Sequence, residues 1–222
     1  MLFVAVWLFP VSNFLTRSGG IVLLTVVWCG LIVLTWRSRA FRLAVLTITA
    51  ACAIFFFLPA RNHRDAASLR SDYVAGLRHY EGVTYYWGGE SPKGIDCSGL
   101  IRRGLIDSLF LRGIRSFDAG LVRHAAWLWW HDCTARDLGD GYGVTVHLFD
   151  TPSINTLDHS KLLPGDLGVT RSGVHIMAYL GDGSWIEADP SFARVITVSV
   201  PSRENVWFQE PMSIVRWNIL RP

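Results

Sequence analysis

The sequence predicts an α+β domain, with helices packed on an antiparallel sheet, behind two or three transmembrane helices. Apolar residues crowd the first 60 positions, where the only charges are Arg17, Arg37, Arg39 and Arg42. Apolar side chains then recur at steps of three and four as far as Trp130. The last third breaks into short apolar runs separated by Gly, Asp, Ser and Pro turns. Helices first and strands afterwards is the chain order of an α+β domain.

At 222 residues the chain has room for one globular domain and a smaller unit. Half of it is apolar and only 18% is charged, with the apolar excess before residue 60. Residues 1–60 are therefore expected to anchor the chain in a membrane, and 61–222 to form the globular domain. The net charge of +3 is small and scattered, with no basic stripe or recognition-helix pattern, which argues against nucleic acid as partner.

Three apolar runs occupy the anchor: Leu2–Thr16, Ile21–Trp36 and Leu43–Pro59. Each is somewhat shorter than the roughly 20 residues that cross a bilayer core. Trp28, Trp36, Phe41 and the arginines can settle at the interfaces and extend the reach. Pro10 and Asn13 interrupt the first run, for which a signal peptide competes, although no basic stretch precedes it. The loop Arg37-Ser38-Arg39-Ala40-Phe41-Arg42 belongs on the cytoplasmic side, so the third run carries the domain outward. Arg61 and Arg64 oppose that bias.

In the globular part, Asp65 caps an expected helix to about Tyr80, with Ala66, Leu69, Tyr73, Leu77 and Tyr80 on one stripe. Tyr85–Gly89 forms a short aromatic segment and Glu90–Gly94 a loop. A second helix starts near Asp96 and turns Leu100, Ile101, Leu105 and Leu109 inward, with Asp96 and Ser98 as capping residues. A third covers Ala119–Trp130. The pattern dissolves over Cys133–Ser160 apart from a short strand near Val144–Phe149, and the stretch around 127–160 reads as an insertion. Strands are expected at Leu167–Thr170, Val174–Leu180, Ser184–Ala188, Arg194–Val200 and Ile214–Leu220.

Of four cysteines, Cys29 and Cys52 lie in apolar runs, leaving Cys97 and Cys133 in the domain. No CxxC or HExxH spacing suggests a metal, and no cofactor is implied. Cys97 falls where a glycine-bearing loop turns into a helix. A thiol attacks as thiolate, and a helix N-terminus and an imidazole both favour that form. His175, at the start of an apolar run, is the candidate base. Glu187 and Asp189 share its strand parity across the tight turn at Gly181–Gly183, so either can orient the ring. A disulfide between Cys97 and Cys133 would block this chemistry, so both are expected to be reduced.

Four segments occur in order: Tyr85-Tyr86-Trp87-Gly88-Gly89, Asp96-Cys97-Ser98-Gly99-Leu100, Leu163-Pro164-Gly165-Asp166-Leu167, and His175-Ile176-Met177-Ala178-Tyr179-Leu180-Gly181-Asp182-Gly183. Together they resemble the NlpC-type family of bacterial cell-wall cysteine peptidases, over about Asp65 to Leu220. The resemblance implies a papain-like fold in which Cys97 is nucleophile and His175 base, cleaving amide bonds of peptidoglycan stem peptides outside the cytoplasmic (inner) membrane. Tyr85, Trp87, Asp96 and Ser98 would then line the substrate subsites, Asp96 facing a free amine. The family usually carries a polar residue, often histidine, as third catalytic member, and here Glu187 stands there, in Trp185-Ile186-Glu187-Ala188. The tryptophan-rich insertion would cap or narrow the cleft, or pack as a hydrophobic lid. A wall-binding module without activity, or an amidase or acyltransferase on lipid-linked substrates, are the alternatives. The order Cys before His favours the wall peptidases.

Overall fold

The computed structural model describes residues 11–60 and 65–222. Most of the expected span Leu2–Thr16 lies outside the described residues, as do Arg61 and Arg64. The end of that run, Phe14–Thr16, belongs instead to the next helix, α1 (Phe14–Leu34), because Asn13 and Thr16 close a capping box ahead of it. A second apolar helix, α2 (Arg39–Phe57), follows after Ser38 as N-cap. With 21 and 19 residues, both are long and apolar enough to cross a membrane. Trp28 Nε1 donates to Thr49 Oγ1 at 3.1 Å and ties the two into a hairpin.

The open end of this hairpin meets the globular domain. Val11 bridges Gly89, and the Arg123 guanidinium donates to the carbonyls of Phe56 and Leu58 at 2.5 and 2.6 Å. Phe55 lies against Phe117, ring centres 4.8 Å apart. Arg37, Arg39 and Arg42 sit around the closed end.

The domain is mixed. It contains α3 (Ala66–Arg78), a small hairpin of β1 (Glu90–Ser91) and β2 (Gly94–Ile95), α4 (Cys97–Arg115), α5 (Ala119–Trp130), the short α6 (Ala135–Gly139) and β3 (Thr145–Thr151). Then follow β4 (Leu167–Thr170), β5 (Ile176–Gly181), β6 (Ser184–Asp189), β7 (Arg194–Ser199) and β8 (Met212–Trp217). The main sheet is antiparallel throughout, in the order β3-β8-β4-β5-β6-β7. The stretch expected as an insertion supplies the end of α5, all of α6 and the edge strand β3, and it buries Leu138 and Ile154.

Alternation along β5 divides the core. Ile176, Ala178 and Leu180 join the layer formed with α3, α4 and α5, whereas Met177 and Tyr179 join Trp185, Phe208 and Ile214 on the other face. A sheet covered on both faces explains why β5 is apolar at nearly every position. α4 is the central helix: Leu100, Ile101, Leu105 and Leu109 are fully buried, each stabilising the fold by roughly 1.5–3 kcal/mol. The turn at Leu163–Leu167 is structural. Asp166 accepts from Leu163 N–H at 2.8 Å and from the Arg216 guanidinium at 2.5 and 2.7 Å, which pins the start of β4 to β8.

Candidate active site

Cys97 is the first residue of α4 and Asp96 its N-cap. Asp96 Oδ1 accepts from Gly99 N–H at 2.6 Å and from the Ser98 hydroxyl at 3.0 Å; Oδ2 accepts from Gly88 N–H at 2.8 Å. The N–H groups of Cys97 and Ser98 have no partner within the helix, and with the helix dipole they favour negative charge beside the sulfur. Gly99 is required sterically. A Cβ there would lie 2.1 Å from Gly89 O, the oxygen that also accepts Asp96 N–H at 3.0 Å. The Gly88–Gly89 strand and the start of α4 are thereby locked together.

His175 immediately precedes β5, and its ring is 2% exposed. Its main-chain N–H donates to Thr170 Oγ1 at 3.0 Å, and its carbonyl accepts Thr170 N–H at 3.0 Å, which fixes the loop. Nε2 faces Glu187 Oε2 at 2.5 Å, and the Cys97 side chain is the other group whose proximity acts on the ring. Burial works against charge on this ring. The hydrogen bonds and negative charge of Cys97 and Glu187 outweigh it and push the imidazole up to about 9.

Glu187 lies on β6, 1% exposed, and its other oxygen accepts from the Asn205 amide. Trp207 stacks on His175, centres 4.2 Å apart and planes at 13°. Asp189 shares the strand face but turns elsewhere: its Oδ1 accepts from Ser191 and Phe192 N–H at 2.5 and 3.1 Å. Continuing the ladder of Ala178 with Ile186 and Tyr179 with Trp185 sets His175 opposite Asp189. The longer, diagonal Glu187 reaches the ring because the shorter Asp189 is held by the turn that follows it.

Beside Cys97 opens a cleft of about 560 Å³. Tyr85, Trp87, Asp96 and Ser98 all line it, with Cys133, Arg136 and Val174 further round. The Tyr85 hydroxyl is pushed up, first by burial and then by the charges of Cys97 and Asp96, so it stays protonated and can donate. Trp87 is 79% exposed at the rim. His131 stacks on Trp127 outside the lining, centres 4.3 Å apart, whereas Asp132 is part of it.

Sequence reasoning missed Asn205 and Trp207, which hold Glu187 and His175 from a segment 18 or more residues away from either. Turn residues around Pro201–Asn205 signal a loop but not where it lands. It also missed Ser12 and Arg17, which reach the cleft from the apolar hairpin, and Glu90 and Arg102, which pair there.

No family model matches the chain, and no curated protein matches it. Solved structures do. NlpC1 from Trichomonas vaginalis is 18% identical with a TM-score of 0.43, over 72% of this chain and 48% of that one. The peptidoglycan hydrolase RipB from Mycobacterium tuberculosis is 21% identical at 0.42, over 67% and 65%. The P60 domain of an antigen from M. avium subspecies paratuberculosis is 22% identical at 0.42, over 71% and 98%. The chain spans about half the length of the Trichomonas protein it matches. At such identities and TM-scores these likenesses do not carry the chemistry of those proteins to this chain. The solved structures to which the chain is similar are thus NlpC/P60 proteins and domains, matched over about two thirds of its length or more.

Proposed function

We propose that the chain is a membrane-anchored cysteine endopeptidase that hydrolyses amide bonds of peptidoglycan stem peptides. Residues 1–60 are the anchor and 61–222 the peptidase domain. The observation that carries the reading is the position of His175, bonded to buried Glu187 at 2.5 Å and close enough to Cys97, at the start of α4, for the two side chains to act on each other.

From this arrangement the steps follow. The Cys97 thiolate attacks the scissile carbonyl carbon, and the oxyanion that forms meets the N–H groups at the start of α4. The His175 imidazolium gives its proton to the leaving amine nitrogen as the C–N bond breaks, leaving a thioester on Cys97. Neutral His175 then takes a proton from water, whose oxygen attacks the thioester; breaking the C–S bond releases the carboxylic acid and returns the Cys97 thiolate and the His175 imidazolium. Glu187 holds the ring in one orientation and stabilises its cationic form. Asp96 lies on the cleft wall with lone pairs beyond its three hydrogen bonds, suited to an ammonium group of the peptide. Tyr85 and Ser98 supply hydroxyls beside it, and Trp87 an apolar rim.

The two apolar helices and the arginines at their closed end support an orientation with the domain outside the cytoplasmic membrane. The test is digestion of purified muropeptides by the full chain in detergent micelles, beside Cys97→Ala, read by mass spectrometry. A product that requires Cys97 supports the peptidase, and its mass names the bond. Equal product from Cys97→Ala, or none from the folded wild-type chain, overturns the reading.

A further inference from the structure

The cleft beside Cys97 is not built by the globular domain alone. Val11 forms an antiparallel bridge with Gly89, and Ser12 N–H donates to Gly88 O at 3.1 Å, so the chain entering α1 lies along the Gly88–Gly89 strand. One turn into α1, Arg17 is 3% exposed although its helix is otherwise open on most sides. Its Nε donates to Ser12 Oγ at 2.9 Å, Nη2 to Glu90 Oε2 at 3.1 Å and Nη1 to Trp130 O at 3.3 Å. Glu90 is buried as well, and from the far side Arg102 approaches its other oxygen at 3.3 Å while gripping Asp132 at 2.5 Å. That second oxygen has no hydrogen-bond partner, so the carboxylate is held through Oε2, where Arg17 donates to it. Burial raises the Glu90 carboxyl above the usual range, and the charges of Arg102 and Arg17 work against that rise.

The held segment leads straight to the nucleophile. Gly88 N–H is bonded to Asp96, Asp96 N–H to Gly89 O, and Asp96 caps the helix that begins with Cys97. Displacing Glu90 would move the strand on which Asp96 rests. We propose that Arg17 is a positioning residue of the catalytic cleft: through Glu90 and the Gly88–Gly89 strand it fixes the wall that receives the amine end of the substrate. The membrane hairpin is therefore part of the cleft as well as an anchor. The kinetic side of this inference rests on the peptidase reading; the structural side does not.

The experiment uses the full chain in detergent micelles, with Arg17→Ala and Arg17→Lys. Two quantities are read: KM and kcat on a muropeptide, and hydrogen exchange of the amides over residues 86–96 and over α4. Arg17→Ala is expected to raise KM about 10-fold or more while kcat changes less than about threefold. Exchange should quicken over 86–96 and not over the middle of α4. Lysine keeps the charge but cannot reach Ser12, Glu90 and Trp130 together, so it should restore only part. If Arg17→Ala does not fold, Arg17→Lys makes the same comparison. Unchanged KM and exchange in a folded variant would reduce Arg17 to a tether and overturn the proposal. Faster exchange everywhere with a lowered Tm would make it a general support of the fold and overturn it equally. Should the wild-type chain show no turnover dependent on Cys97, the peptidase reading fails, and local exchange still decides the role of Arg17.

Discussion

Two cysteines line the same cleft, and both are buried. Cys133 follows α5 in a connecting segment, just ahead of Thr134, the N-cap of α6. Burial pushes its thiol up to about 11, an effect that nearby Arg102 only partly offsets. Cys97 starts a long helix instead, and acts on an imidazole that is itself backed by a carboxylate, an amide and a stacked indole. Burial is common to the two; the helix terminus and the imidazole are not. A cysteine in a cleft becomes a nucleophile through what faces it, and the difference can be tested residue by residue.

The largest effect should come from Cys97→Ala, which is expected to lower muropeptide turnover by roughly 10³-fold or more with little change in Tm, checked by product mass and a thermal melt. Next comes Glu187→Gln, expected to cost about 10²- to 10⁴-fold in kcat. It also carries a pH signature. His175 is held up to about 9 from an ordinary 6.5, so the imidazolium is complete at neutral pH and lost as pH rises through 9. The alkaline limb of kcat/KM should therefore fall near pH 9 in the wild-type chain and move to lower pH in Glu187→Gln. The stabilisation linked to the charged ring runs the same way: full below 6.5, and lost as pH rises through 9. A wild-type limb that does not move in Glu187→Gln would show that the carboxylate does not govern the ring.

Gly99→Ala comes third. Its Cβ must displace Gly89 O, and the expected cost is about 1–3 kcal/mol of stability with a matching loss of activity, measured by chemical denaturation and turnover. An alanine that is tolerated without change would mean that the Gly88–Gly89 strand is not locked to α4. The smallest effect is reserved for Cys133→Ser, where turnover should stay within about twofold of wild type. Alkylation by iodoacetamide at pH 7.5, followed by peptide mapping, should modify Cys97 well before Cys133. Reversal of that order would dissolve the contrast between the two thiols.

Much of the site was legible because it is local. Asp96 as cap, Cys97 at the helix start and the glycines around them follow from short-range rules of helix initiation and turn geometry. His175 and Glu187 could be placed on one face by parity alone, since the turn at Gly181–Gly183 is tight. Parity left Asp189 equally eligible. Only the turn amides of Ser191 and Phe192, which occupy Asp189, separate the two. The tryptophan-rich stretch read as an insertion because α6 is five residues long and the strand after it has a broken pattern; its partner β8 lies more than sixty residues further along the chain.

By itself the sequence determined the apolar hairpin, the order of helices and strands, and the candidate thiol and imidazole with two eligible acids. These rest on periodicity, capping and turn chemistry, which act over a few residues. The tertiary structure decided which acid meets His175, that Asn205 and Trp207 brace the pair, and that Arg17 of the first apolar helix closes the wall around Glu90. Those outcomes depend on where distant segments land once the sheet and helices pack. Contact across such separations is set by the shape and burial of the whole fold, and no local pattern encodes it.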